Sequence, residues 1–195
     1  MNKDGLEQAQ ARFMRINRAA GMIASSAPVK EREAAWLDII AAFGTLYSKL
    51  EQASKATPEA TRWFREKKET RKQDPLLQYM HHARNADEHT LVRVATGAQF
   101  AVKAVVAEGG GTLGVAYDAA GRPFMVSEGM ANPKLYENEV MLHTAIDRGV
   151  SYQPPTMHMG QHIADTTARA IAPLIVAYAE RLLQDASGFL VVDEP

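Results

Sequence analysis

Three helix-starting signals divide the first half of the chain into separate helical segments. Each signal places a proline in a first helical turn, where its missing N–H leaves no hydrogen bond unmade. A residue that can cap a helix precedes two of these prolines directly. In chain order the signals are Ser26 or Ala27 before Pro28, Thr57 before Pro58, and Asp74 before Pro75. The sequence therefore predicts a mainly helical first half.

Hydrophobic periodicity predicts two long helices before the second of these signals. One runs from Leu6 to about Ser25 and the other from Val29 to about Ala53, with apolar residues at helical spacing in both. The second helix has the longest apolar stripe, formed by Trp36, Ile39, Ile40, Phe43, Leu46, Tyr47 and Leu50. We expect the two helices to form an antiparallel hairpin that supplies much of the core.

A strongly basic helix is predicted from Pro58 to about Arg71. Its cations are Arg62, Arg65, Lys67, Lys68, Arg71 and Lys72. Trp63 and Phe64 lie among them. One interpretation is a solvated helix face; the other is a phosphate-contacting segment whose aromatic rings are available for base stacking.

The segment from Asp74 to Thr90 concentrates ionisable side chains on one predicted helix. At 100° per residue its apolar face consists of Leu76, Tyr79, Met80, Ala83 and Ala86. Two adjacent polar stripes consist of His81, Arg84 and Glu88, and of His82, Asn85 and His89. One face is expected to pack, and the other is free for chemistry.

Residues 91–155 have a different character and predict a small antiparallel meander. Candidate strands are Leu91 to Val94, Gln99 to Ala107, Thr112 to Asp118 and Pro123 to Ser127, with turns at Gly109 to Gly111 and Asp118 to Gly121. The segment from Tyr136 to Ile146 alternates in part, which favours another strand over a short helix.

A last helix is predicted from about Met157 to Gly188. Pro173 lies inside it and predicts a kink or two abutting helices. His158 and His162 are four residues apart, a helical spacing that can place two imidazoles on one metal, with His143 or Asp165 as further ligands. The alternative is that these histidines cap, pack or face solvent.

The composition limits the fold and the chemistry. The chain has 195 residues, 46% of them hydrophobic, which suffices for one domain. It has no cysteine and a formal net charge of −1, so thiolate chemistry is excluded and polyanion binding needs a local basic patch. We expect a cytoplasmic protein with no membrane segment.

The predicted fold class is α+β, mainly α. We expect a single domain over residues 1–195, with a helical core at about 6–90 and 157–188. The β-rich insertion is predicted at about 91–155.

Arg84, Asn85 and His89 form an R-N-x3-H pattern on the capped helix. The pattern resembles the R-x(4 to 6)-H motif of the HEPN (higher eukaryote and prokaryote nucleotide-binding) superfamily, including the polar residue after the arginine. The resemblance implies a HEPN-like four-helix bundle with a small antiparallel β insertion before the C-terminal helix. It also implies a metal-independent endoribonuclease, without cofactor, that acts on RNA as a homodimer and has an antitoxin-like protein as a candidate partner.

The predicted roles follow from the chemistry of the side chains. Histidine can be acid or base near neutral pH, so His89 fits proton transfer, and the planar guanidinium of Arg84 matches phosphate oxygens. Asn85 would orient the imidazole or the phosphate. The predicted substrate-binding residues are Arg62, Arg65, Lys68, Arg71, Lys72, His81 and His82.

Positions five apart on a helix point about 140° away from each other, so Arg84 and His89 of one chain converge poorly. Active HEPN ribonucleases bring the motifs of two subunits together, which makes a dimer part of the hypothesis. The alternative is a non-catalytic HEPN-like module that binds nucleotide, RNA or a protein partner, with Arg84, Asp87 and Glu88 forming surface ion pairs.

Overall fold

The first 90 residues fold into four helices whose bounds lie close to the predicted ones. The computed structural model describes residues 1–106, 112–128 and 130–190. In these residues the helices are α1 (Lys3–Ala24), α2 (Val29–Ser54), α3 (Pro58–Gln73) and α4 (Pro75–His89), followed after the β segments by α5 (Ala168–Ser187). The side chains of Thr57 and Asp74 accept hydrogen bonds from backbone N–H groups of the helices they precede. A mainly helical α+β chain with small antiparallel sheets is thus confirmed.

Of the three prolines predicted in first helical turns, Pro28 lies elsewhere. It is the N-cap of α2, with φ −51° and ψ 143°, and not a first-turn residue. Its carbonyl accepts hydrogen bonds from the N–H groups of Glu31 and Arg32 at 2.9 and 3.1 Å, which starts the helix without a capping side chain.

Helices α1 and α2 form the predicted antiparallel hairpin. The Asn2 N–H, at the start of α1, donates to the Ala53 carbonyl, at the end of α2, at 2.9 Å. A Cβ on Gly5 would lie 2.6 Å from the Ala53 Cβ, so this close approach requires glycine. Helix α2 contacts all four other helices, and its Trp36, Ile39 and Leu46 side chains are fully buried.

Trp63 and Phe64 belong to the core, so the prediction that they could stack on bases is wrong. They are 8% and 4% exposed, and the Trp63 ring lies 5.5 Å from that of Phe189. With Ala60 they are the only buried residues of α3. Because the rest of this helix is polar, burying the two rings is what attaches α3 to the bundle.

The four longest strands of the β segment form two nested antiparallel ladders and not the predicted meander. Strand β1 (Ala95–Val106) pairs with β4 (Met130–Leu142), and β2 (Thr112–Tyr117) pairs with β3 (Pro123–Glu128). The predicted strand at residues 91–94 is wrong, because β1 begins at Ala95. The predicted turn at residues 109–111 lies outside the described residues.

The second predicted turn and the preference for a strand near residue 140 are confirmed. Gly121 has φ +75°, and the Asp118 N–H donates to the Arg122 carbonyl at 2.9 Å. The segment from Tyr136 to Ile146 is extended: it lies in β4 and in β5 (Ala145–Asp147), which pairs with β6 (Val150–Tyr152).

Polar contacts attach the end of the β1–β4 ladder that contains Gly97, Asn138 and Glu139 to α2 and α5. This end is called the base of the ladder. Arg32 is 4% exposed, and its guanidinium donates to the Asn138 carbonyl. Glu139 receives a 2.7 Å bond from Arg169 of α5. The Gly97 N–H donates to the Glu33 carboxylate at 2.9 Å. The ladder is therefore fixed to the helices at its base.

The predicted start of the last helix is wrong. Residues Met157–His158 (β7) and Gln161–His162 (β8) form a short hairpin instead, and α5 begins at Ala168 after the capping side chain of Thr167. Met159 and Gly160 have φ values of +48° and +77°, which makes the tight turn and is incompatible with a helix. The helical core thus resumes later than residue 157.

A kink or two abutting helices was predicted at Pro173. Pro173 lies in the second turn of one continuous helix, so the second alternative is wrong and the kink stays a prediction. Gly188 ends α5 as predicted. No helix within the described residues is long and apolar enough to cross a membrane.

Candidate functional site

Helix α4 presents its polar face because its apolar face is completely buried. The Asp74 carboxylate accepts a hydrogen bond from the Leu77 N–H at 3.0 Å, which fixes the start of the helix. The predicted apolar residues are all buried, and Leu77 joins them: Leu76, Leu77, Tyr79, Met80, Ala83 and Ala86. The Tyr79 hydroxyl contacts the Val94 and His143 carbonyls, which ties α4 to the β segment.

His82 and Asn85 meet on one carboxylate. The His82 Nδ1 lies 2.8 Å from the Asp147 Oδ2, and the Asn85 Nδ2 donates to the same oxygen at 2.9 Å. The hydrogen bonds from His82 and then Asn85 hold the pKa of Asp147 below its usual range. The His82 ring stacks on that of Tyr152, with centroids 3.6 Å apart and planes at 8°.

His81 lies among positive charges beside this pair. Its ring lies 4.9 Å from that of His82. Burial first, and then the Arg71 guanidinium, the His82 imidazole and the Arg84 guanidinium, lower the pKa of His81 to about 4. His81 is therefore neutral near pH 7. The guanidiniums of Arg71 and Arg84 therefore contribute positive potential at His81.

Arg84 lies against α2. A Cβ added to Gly44 would lie 2.2 Å from the Arg84 Cδ, so the absence of a side chain at Gly44 makes room for the arginine. The Arg84 Nη2 forms a 2.8 Å ion pair with Glu88, and its Nε is buried with no hydrogen-bond partner in the described part of the chain. The predicted surface ion pair with Glu88 is present.

His89 is exposed at the C-terminal end of α4. No hydrogen bond or ion pair joins its imidazole to another described residue. Within one chain, Arg84 faces α2, Asn85 faces β5 and His89 faces solvent. The single chain does not bring the three motif residues together, and their catalytic roles stay predictions.

The basic residues predicted on α3 divide into paired and unpaired ones. Lys68 forms a salt bridge with Glu51 at 2.9 Å, and Lys72 forms one with Glu69 at 2.7 Å. The Arg71 guanidinium lies 4.9 Å from the centre of the Tyr47 ring. Arg62 and Arg65 are exposed and have no salt bridge within residues 1–106, 112–128 and 130–190. Of these residues, Arg71 acts on an imidazole of α4, that of His81.

We define the α4 cluster as Arg71, His81, His82, Arg84, Asn85, Asp147 and Tyr152. Asp147 and Tyr152 were not predicted from the sequence. They come from the β5–β6 hairpin, and Asp147 follows His82 by 65 residues in the sequence. No local motif marks either residue, so only a prediction of which hairpin packs on α4 could have found them.

The predicted metal-binding pair of His158 and His162 is not formed. Met157 pairs with His162 across the β7–β8 hairpin, which places His158 on the opposite face. His158 is buried, and its Nδ1 lies 3.0 Å from the Asp74 Oδ1. His143 contacts Thr96 instead. The described residues contain no group of three or more metal-ligating side chains.

Comparisons with known proteins do not identify a family for this chain. No family model matches the chain, and neither a curated protein nor a solved structure matches it. The HEPN resemblance rests on Arg84, Asn85 and His89 and on the helical arrangement around them.

Proposed function

We propose that the chain is a metal-independent endoribonuclease that acts as a homodimer, with the α4 cluster and His89 of each protomer at the active site. The observation that carries this proposal is the grouping of guanidinium and imidazole groups on the polar face of α4. Arg71 and Arg84 both act on His81, and His82 and Asn85 lie next to it on the same helix.

These side chains have the chemistry that RNA cleavage requires. A base must take the proton of the ribose 2′-OH, an acid must protonate the leaving 5′-oxygen, and cations must stabilise the charged phosphorane. Imidazoles supply the first two functions at neutral pH. Guanidiniums supply the third with paired N–H groups that match phosphate oxygens.

The directions of Arg84 and His89 support the dimer. Arg84 lies over Gly44 of α2, whereas His89 is exposed at the C-terminal end of α4 without a partner among the described residues. One copy therefore leaves the motif incomplete. A second protomer that adds its own His89 near the first Arg84 would complete a composite site.

The test is cleavage of a mixed-sequence RNA by the purified protein in EDTA. We expect the wild type to cleave, and Arg84→Ala and His89→Ala each to lower the rate at least about 10²-fold. The matched controls are Arg122→Ala, which removes an exposed ion pair of the same spacing, and His162→Ala, an exposed histidine outside the cluster. Both should retain the wild-type rate. Absence of RNA cleavage by the wild type would refute the proposal.

A non-catalytic HEPN-like module that binds nucleotide, RNA or a protein is the second candidate. It is favoured by the internal partners of the motif, since Arg84 pairs with Glu88 and Asn85 with Asp147. Binding of fluorescent RNA without cleavage, weakened by Arg84→Ala but not by Arg122→Ala, would identify this function instead.

A further inference from the structure

We infer that His82, held by Asp147, is the general base of the proposed site, and that Asp147 is its positioning residue. This inference rests on the proposed ribonuclease function. It assigns the base to a residue outside the Arg84, Asn85 and His89 pattern. It also assigns a role to Asp147, a residue of the β5–β6 hairpin.

The contact with Asp147 fixes which nitrogen of His82 carries the proton. A carboxylate can only accept hydrogen bonds, so the Nδ1 at 2.8 Å from the Asp147 Oδ2 must be the N–H donor. The Asn85 amide donates to the same oxygen at 2.9 Å and holds the carboxylate in place. In the neutral ring the lone pair is then on Nε2.

The ring plane of His82 is fixed as well. Tyr152 stacks on the ring at a centroid distance of 3.6 Å and an angle of 8°. The hydrogen bond and the stacking together leave the imidazole little freedom to rotate. A base that is oriented before substrate binds loses less entropy in the transition state.

The Nε2 of His82 is open to substrate. The His82 side chain is 23% exposed, and no described residue forms a hydrogen bond with its Nε2. The His81 ring lies 4.9 Å from that of His82, and Arg71 and Arg84 lie close enough to His81 to lower its pKa. A phosphodiester that meets the Nε2 lone pair would therefore bind next to the basic groups around His81.

The proton and bond changes balance as a transesterification. The His82 Nε2 takes the proton of the ribose 2′-OH while the 2′-oxygen forms a bond to phosphorus. The bond between phosphorus and the 5′-oxygen breaks, and the imidazolium of His89 from the partner protomer donates the proton that this oxygen needs. The products are a 2′,3′-cyclic phosphate and a 5′-hydroxyl, and water is not consumed.

The first test is the tautomer of His82, measured by long-range ¹H–¹⁵N correlation spectra of the wild-type protein above the titration range of its histidines. We expect His82 to show a protonated Nδ1 and an unprotonated Nε2, the reverse of the usual preference of free histidine. In Asp147→Ala the Nε2–H form should become dominant. A wild-type His82 with a protonated Nε2 would overturn the inference whatever the RNA assay shows.

The second test is the rate of RNA cleavage in EDTA. We expect His82→Ala to lower kcat about 10²–10⁴-fold. Asp147→Ala should lower kcat at least about tenfold with little change in KM. Asp147→Asn should also lower kcat, because its NH2 group can donate to Nδ1 and favour the tautomer that carries the proton on Nε2. His162→Ala is the matched control.

The outcomes separate this inference from the proposal on which it rests. If the wild type cleaves RNA, and His82→Ala and Asp147→Ala cleave at the wild-type rate, the base is another residue and the ribonuclease proposal stands. If the wild type does not cleave RNA, both fail. Cleavage that depends on His82, with a kcat effect at Asp147, supports both.

Discussion

The described part of the chain contains two histidine–aspartate pairs that have the same contact and different surroundings. In both, a histidine Nδ1 meets a carboxylate oxygen, at 2.8 Å between His82 and Asp147 and at 3.0 Å between His158 and Asp74. The side chains of the first pair are 23% and 11% exposed, whereas both side chains of the second are 6% exposed. Exposure, more than the contact itself, distinguishes a pair that can meet substrate from one that holds the fold.

The buried pair connects distant parts of the chain. Asp74 caps α4 and also accepts a 2.6 Å hydrogen bond from the Met159 N–H, so one carboxylate links the start of α4 to the β7–β8 hairpin. The Nε2 of His158 is buried without a hydrogen-bond partner in the described residues. The centres of the His158 and Tyr178 rings are 5.8 Å apart. This nitrogen has no route to substrate, and the pair is structural.

The largest expected effect is on stability, at the buried pair. Asp74→Ala removes a helix cap and leaves the His158 imidazole and the Met159 N–H without their partner, and we expect a loss of about 3–5 kcal/mol in the free energy of unfolding. Urea denaturation at pH 7 measures it. Asp147→Ala is the comparison variant and should cost less, about 1–2 kcal/mol, because the donors that it leaves, His82 and Asn85, are only partly buried and Asp147 caps no helix. Equal losses in the two variants would remove the distinction between the pairs.

A smaller effect concerns the pH dependence of stability. The pKa of His81 is lowered to about 4 in the folded protein, below the value of about 6.5 of an unfolded chain. Between these values the unfolded state binds a proton that the folded state does not, so stability falls as the pH drops from 6.5 towards 4. From pH 7.5 to 5.0 we expect His81 to contribute a loss of about 1–2 kcal/mol, after allowance for solvent screening.

Urea midpoints of the wild type and His81→Gln at the two pH values measure this contribution. The variant should lose less stability on acidification than the wild type, whereas His162→Gln, at an exposed position, should match the wild type. A His81→Gln variant with the wild-type pH dependence would show that His81 titrates normally and does not feel the cations of the α4 cluster.

Gly44→Ala is expected to have the smallest effect on stability but to lower activity. A Cβ there would lie 2.2 Å from the Arg84 Cδ, so Gly44→Ala should displace the arginine while the helix gains intrinsic propensity. We expect unfolding free energy to change by no more than about 1 kcal/mol and RNA cleavage to fall about tenfold or more.

Gly21→Ala is the matched control for this substitution. Gly21 is also helical, and a Cβ there would meet nothing within 4 Å. It should stabilise α1 slightly and leave cleavage unchanged. Unchanged cleavage in Gly44→Ala would show that the position of Arg84 over α2 is irrelevant to activity.

The helices of the first half could be predicted because their signals are local. Thr57 and Asp74 cap the helices that follow them, and the apolar stripe of α2 alone defines its buried face. The start of α5 could not be placed in the same way. The left-handed Met159 and Gly160 interrupt a helical pattern of apolar residues that continues on both sides of them.

The candidate site could be predicted only where it lies on one helix. The polar stripes of α4 follow from its periodicity, and His82 and Asn85 do share a face and a partner. Their partner Asp147 depends on the packing of a short hairpin against α4, which is decided by tertiary contacts. The burial of Trp63 and Phe64 was missed for a related reason, since the surrounding charges of α3 mask the two rings that attach it.

The most direct measurement compares one histidine from each pair. RNA cleavage in EDTA and thermal unfolding are measured for His82→Ala and His158→Ala, with cleavage assayed at a temperature where both are folded. The account predicts that His82→Ala loses at least about 10²-fold in rate and little in melting temperature, whereas His158→Ala melts at lower temperature and keeps the wild-type rate. A wild-type protein that does not cleave RNA, or a His82→Ala variant that cleaves at the wild-type rate, would contradict it.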